Sequence, residues 1–87
     1  MEARGNAIII NKKYGSKRVL AADSISDIEL DEHTSYRGSA PKIESITINI
    51  MMKDGRLLSE RYEPSEIGNA YDDYDILSEA LEGAQTR

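Results

Sequence analysis

Two short segments carry the side chains best suited to chemistry. KKYGSKR, residues 12–18, and YRGSAPK, residues 36–42, each combine Tyr, Gly and Ser with at least two cations. Glycine lets backbone N–H groups approach an anion, serine donates a hydroxyl, lysine and arginine neutralise phosphate, and tyrosine offers a face on which a base stacks. Four of the seven residues from Lys12 to Arg18 are basic in a chain of net charge −5, so composition alone does not produce the cluster. Lys12, Lys13, Tyr14, Lys17 and Arg18 with Tyr36, Arg37 and Lys42 thus outline a pocket for a nucleotide or other phosphorylated small molecule, sequestered at a subunit interface if the two loops converge. The plainer reading is that Tyr, Gly and Ser make turns while Lys and Arg keep hairpin edges soluble. Neither segment matches GxxxxGK[ST] or GxGxxG.

The second constellation is acidic. YDDYD, residues 71–75, places Asp72, Asp73 and Asp75 close together, with Glu79 a turn further on. Such a surface docks on a basic protein partner and steers the encounter electrostatically. At a helix start the same carboxylates would simply favour the macrodipole.

Other chemistry is poorly supplied. His33 lies beside Asp31 and Glu32, a set suited to a general base or a metal ligand, but a lone histidine in a polar stretch is ordinarily solvated. The chain has one histidine and no cysteine, which leaves no ordinary metal site, disulfide framework or thiol nucleophile. The serines lack a GxSxG context. No set of acid, base and nucleophile can be assembled, so a non-enzymatic protein without cofactor is expected.

Charge is unevenly spread. Residues 1–18 carry Arg4, Lys12, Lys13, Lys17 and Arg18 against Glu2, whereas residues 64–87 carry Glu66, Asp72, Asp73, Asp75, Glu79 and Glu82 against Arg87. The acidic balance and the absence of a basic stripe disfavour nucleic acid. The longest apolar run is far short of the roughly 18 residues that a membrane span requires, and MEARGNAIII has too short an apolar stretch for a signal peptide. A cytoplasmic location is the expectation.

The elements that must position these residues follow from periodicity. With 87 residues the chain is expected to form one domain, with residues 1–6 and 84–87 as flexible ends. In ITINIMMKDGRLLSERYE, residues 46–63, alternation puts Ile46, Ile48, Ile50 and Met52 on one face and Ser45, Thr47, Asn49 and Met51 on the other. A two-residue Asp54, Gly55 turn would set Ile50 against Ser59 and Ile48 against Arg61. A three-residue Lys53, Asp54, Gly55 loop instead sets Ile50 against Leu58 and Ile46 against Tyr62, leaving only Glu60 on the isoleucine face, and is preferred. Residues 7–13 and 18–22 around Tyr14, Gly15 and Ser16 read as a second hairpin. ISDIELDE reads as a strand with Ile28 and Leu30 inward, followed by a ten-residue loop, HTSYRGSAPK.

The last segment reads as a helix entered through Pro64, starting properly near Ala70 because Gly68 and Asn69 are poor helix formers, and ending at Gly83. Ile67, Tyr71, Tyr74, Leu77 and Leu81 form its apolar stripe, turned to the sheet. The fold expected is α+β: one antiparallel sheet of four or five strands, two hairpins plus one strand, covered on one face by a single C-terminal helix. One helix is narrower than such a sheet, so apolar surface would stay uncovered and a homo-oligomer is expected.

Two functions follow. The leading one is a small acidic binding protein that occupies a protein partner through Asp72, Asp73, Asp75 and Glu79, of the inhibitor or adaptor type. The alternative is the phosphorylated-ligand scavenger. Size, charge and lack of a catalytic set are those of inhibitors encoded by phages and mobile elements, an expectation drawn from these bulk properties alone.

Overall fold

The isoleucine alternation of residues 46–52 dictates a register, and the computed structural model adopts it. It describes residues 1–11, 15, 17–36, 38 and 40–85. In chain order the elements are β1 (Glu2–Arg4), β2 (Ala7–Asn11), β3 (Lys17–Ala21), a 3-10 turn (Ala22–Ser24), β4 (Ile25–Ser35), β5 (Lys42–Met52), β6 (Leu57–Tyr62), a second 3-10 turn (Pro64–Glu66) and α1 (Ile67–Gln85). Ile46 faces Tyr62, Ile48 faces Glu60 and Ile50 faces Leu58. Lys53, Asp54 and Gly55 close this hairpin: Met52 N–H donates to Arg56 C=O at 2.8 Å and Gly55 N–H to Met52 C=O at 3.0 Å. Gly55 has φ +94°, a left-handed conformation that glycine adopts without a side-chain clash. The Asp54 carboxylate accepts from Arg56 N–H at 3.0 Å and Nε at 2.7 Å, and the backbone bond holds its carboxyl below the usual range.

The strands form two sheets rather than the expected one. Both are antiparallel and three-stranded, ordered β1-β2-β3 and β4-β5-β6. The third strand of the first sheet comes from residues 1–6, expected as a loose end. Gly5 and Asn6 close a two-residue turn that sets Arg4 against Ala7, with Gly5 at φ +58°, as such turns require. Asn6 then anchors the hairpin. Its backbone carbonyl accepts from Ala22 N–H at 2.7 Å and its side-chain carbonyl from Asp23 N–H at 3.2 Å. These bonds fix the 3-10 turn that carries the chain from one sheet to the other.

β4 turns Ile28 and Leu30 inward and leaves Asp27 and Glu29 exposed, as its alternation predicts. It runs on through His33 to Ser35, pairing with β5 as far as Lys42. The expected ten-residue loop is therefore six residues, 36–41. The register shifts at two points, leaving Ser26 and Glu44 unpaired in bulges.

The isoleucine face is covered twice over. Ile48, Ile50 and Met52 cluster with Ile8, Ile10 and Leu20 of the first sheet and with Leu77 of α1. Ile46, Ile48 and Ile50 are fully buried. Among the described residues the uncovered strip on which a homo-oligomer was expected is not found on this face, because the first sheet occupies the width that one helix leaves.

Glu60 has an answer on the same face. Ile10 faces Arg18 across β2 and β3, and Arg18 Nη1 lies 3.6 Å from Glu60 Oε1, so an ion pair joins the inner faces of the two sheets. Removing one partner of a desolvated pair costs about 3–5 kcal/mol, and replacing both by apolar groups is often neutral. Arg18 is partly solvent-screened, so Arg18→Met is expected to cost about 2 kcal/mol and the Arg18→Met/Glu60→Met double variant less than about 1 kcal/mol. Urea unfolding reads both. Equal losses in the single and double variants would contradict the bridging role.

The helix starts at Ile67, earlier than expected. Glu66 Oε1 accepts from Glu63 N–H at 3.5 Å and Pro64 opens the turn, so a capped entry offsets the weak propensities of Gly68 and Asn69. Gly83 does not end it, since the helix continues through Ala84 to Gln85. No helix among the described residues is long and apolar enough to cross a membrane.

Candidate functional site

One residue per 100° sets what α1 presents. Ala70 and Leu77 are fully buried and Ala84 is half-buried, which makes the buried stripe. Asp72, Asp75, Glu79 and Glu82 are all exposed. They follow at i, i+3, i+7 and i+10, fall within an arc of about 80°, and point about 180° from the buried stripe. None of the four is ion-paired to a described cation, and the residues Ile67–Gln85 contain no Lys or Arg.

The stripe is electrostatically unfavourable for the helix itself. Like charges at i,i+3 and i,i+4 destabilise by about 0.2–0.5 kcal/mol per pair, and Glu82 lies in the last turn, where the macrodipole disfavours an anion. The macrodipole does not account for Asp72 and Asp75 either, because the helix starts at Ile67 and the effect fades beyond the first turn.

Asp73 is not on this stripe. Its Oδ2 accepts from Tyr62 Oη at 2.6 Å and its Oδ1 lies 3.2 Å from the Met1 α-ammonium group. Burial first, and then the Asp73 bond and charge, push the Tyr62 hydroxyl far above its ordinary value, so it stays a proton donor. Both Asp73 oxygens are committed to holding α1 against β6 and the N-terminus.

Beside this latch opens a cleft of about 700 Å³. Its lining combines apolar Ile10, Ile76 and the Tyr62 side chain with Glu60, Glu66, Asp72 and Asp73, and with the Met1 α-ammonium group that pairs with Asp73. Asp72 thus belongs both to the cleft rim and to the exposed stripe. Amphipathic clefts of this kind suit a long cationic side chain, whose stem packs on apolar surface while its head reaches acid.

The basic loops are less fully drawn. Lys12, Lys13, Tyr14 and Arg37 lie outside the described residues. Lys17 and Lys42 are exposed strand residues, Tyr36 is 81% exposed, and Arg18 is engaged with Glu60. His33 lies within β4, not in a loop, with Nε2 3.1 Å from Thr47 Oγ1. Among the described residues no group of three His, Asp or Glu is placed to hold a metal ion.

Of the four acidic residues singled out from sequence, the structure groups Asp72, Asp75 and Glu79 and sends Asp73 inward. It adds Glu82, whose i+3 spacing from Glu79 was the available signal. Tyr71, expected on the sheet side, is 39% exposed. Desolvation and the neighbouring Glu32 carboxylate raise its hydroxyl above the ordinary value. The chain matches no known protein family, curated protein or solved structure.

Proposed function

We propose that the chain is a non-enzymatic binding protein that occupies a basic surface of a protein partner with the acidic stripe of α1. One observation carries this reading: four exposed carboxylates lie along the helix face opposite its buried side, with no cation in the helix to compensate them. Such an arrangement costs local stability, so fold maintenance does not explain it. Complementary charge across an interface raises association rates and rejects like-charged surfaces. The cleft beside Asp72 supports the same reading, since it offers an anchoring point for one Lys or Arg side chain of the partner.

The test is affinity capture from lysate of the source organism, with wild type and D72K/D75K/E79K as paired baits. The expected result is a stoichiometric partner on the wild-type bait that is lost on the reversed one. A partner retained equally by both, with the reversed bait folded, would contradict the proposal.

A further inference from the structure

The second sheet has an outer face that the core does not use. There the register aligns three rows across β4, β5 and β6: Asp27, Met51 and Leu57; Glu29, Asn49 and Ser59; Asp31, Thr47 and Arg61. Met51 and Leu57 are 39% and 57% exposed. Side chains are tied sideways along the face: Ser59 Oγ donates to Asn49 Oδ1 at 2.7 Å, and Asn49 Nδ2 donates to Asp31 Oδ2 at 2.8 Å. In these rows the charge is sorted by strand, with all three carboxylates on β4 and the one cation, Arg61, on β6, where its Nε also lies 3.7 Å from the exposed Glu63 Oε1.

We propose that this face binds the same face of a second copy of the chain, about a two-fold axis lying along β5. Two sheets stacked face to face admit two in-plane two-fold axes. An axis across the strands lays β4 on β4 and sets Asp27, Glu29 and Asp31 of the two copies against one another, which like-charge repulsion opposes. An axis along β5 lays β4 of each copy over β6 of the other. Because Asp31 and Arg61 share a row, each Asp31 then meets Arg61 of the second copy, and two-fold symmetry makes the pair twice.

The remaining rows fit the same axis. At one end of the contact Met51 stacks on Met51, and each Leu57 lies over Asp27 of the second copy. Asp27 does not bury its charge against Leu57, because the bond from Ile28 N–H turns its carboxylate toward the open edge of β4. Pairing through the β4 edge is opposed by the fold itself, because Asp27 Oδ1 accepts from Ile28 N–H at 2.9 Å and so occupies an edge donor. The face measures at most about 37 by 14 Å, roughly 500 Å² per copy. That is below the usual 800 Å² per partner, so a weak, reversible dimer with a dissociation constant on the order of 100 µM is expected.

Sedimentation equilibrium of the full chain from about 10 µM to 1 mM tests this. Wild type is expected to show a monomer–dimer equilibrium. Asp31→Arg or Arg61→Asp alone should weaken it at least about tenfold, the D31R/R61D double swap should restore it to within about threefold, and Met51→Lys should abolish it. Arg61→Asp and Met51→Lys change exposed side chains, so they remain informative if Asp31→Arg unfolds through loss of its Asn49 bond. D72K/D75K/E79K should leave the dimer intact. A wild type that is monomeric throughout overturns the proposal, as does a dimer indifferent to Arg61 and Met51 or one lost with the helix stripe.

Discussion

Leu77→Ala is expected to destabilise the protein by about 3 kcal/mol, within the range that buried leucine truncations show. Leu77 is fully buried and belongs to the cluster that joins α1 to Ile8, Ile10 and Leu20 of one sheet and to Ile48, Ile50 and Met52 of the other. Truncation therefore opens a cavity where three elements meet, and collapse of any one would disturb the other two. Domains of this size hold roughly 0.05–0.15 kcal/mol per residue, so the loss removes a large share of the total. The midpoint of thermal unfolding should fall by more than about 10 °C. Leu57→Ala, on the exposed outer face, should change stability by less than about 0.5 kcal/mol. A Leu77→Ala loss below about 1 kcal/mol would mean that the helix is not the cover of the isoleucine face.

The E79Q/E82Q variant is expected to be more stable than wild type and a poorer binder. Glutamine keeps the helix propensity of glutamate, so the change is essentially one of charge. It removes the like-charge neighbours Asp75–Glu79 and Glu79–Glu82 and one anion from the last turn of α1. At about 0.2–0.5 kcal/mol per pair plus 0.3–1 kcal/mol for the terminal anion, the gain is about 1 kcal/mol at low ionic strength. Added salt should shrink that gain, because the repulsion it relieves lies at an exposed surface. Partner affinity should fall about tenfold or more over the same substitution. Opposite signs for stability and binding mark a surface maintained for recognition. Unchanged binding together with the stability gain would return the stripe to an ordinary solvated face.

How far these features could be read in the sequence depends on how local their causes are. The β5–β6 register was legible because the alternative two-residue turn would have set Ser59 and Arg61 against the isoleucines. Glu60 was legible as an exception, and Arg18, its partner on another sheet, was not. The strand Glu2–Arg4 was missed because it is three residues long and offers one small apolar side chain, Ala3, too little to mark a strand. Its Gly5–Asn6 turn was a signal, but the bonds from Asn6 to Ala22 and Asp23 depend on a contact that sequence order does not reveal. Without that strand, one sheet was the simplest assembly of the rest.

The helix divides the same way. Its large apolar residues suggested a stripe through Tyr71, whereas its fully buried residues are Ala70 and Leu77. The acidic stripe was readable from spacing alone. Asp73 was not separable from its neighbours, because Tyr62 and the Met1 α-ammonium group, which hold it, are remote in sequence.

In the function proposed, the exposed carboxylates of α1 steer the protein onto a basic partner. The most direct measurement is the association rate constant with the captured partner, for wild type and D72K/D75K/E79K, in about 50 mM and 500 mM salt. Electrostatic steering predicts that the wild-type rate falls at least about tenfold with added salt, while the reversed chain starts slower and loses that dependence. A wild-type rate indifferent to salt, or equal in the two chains, would contradict the account.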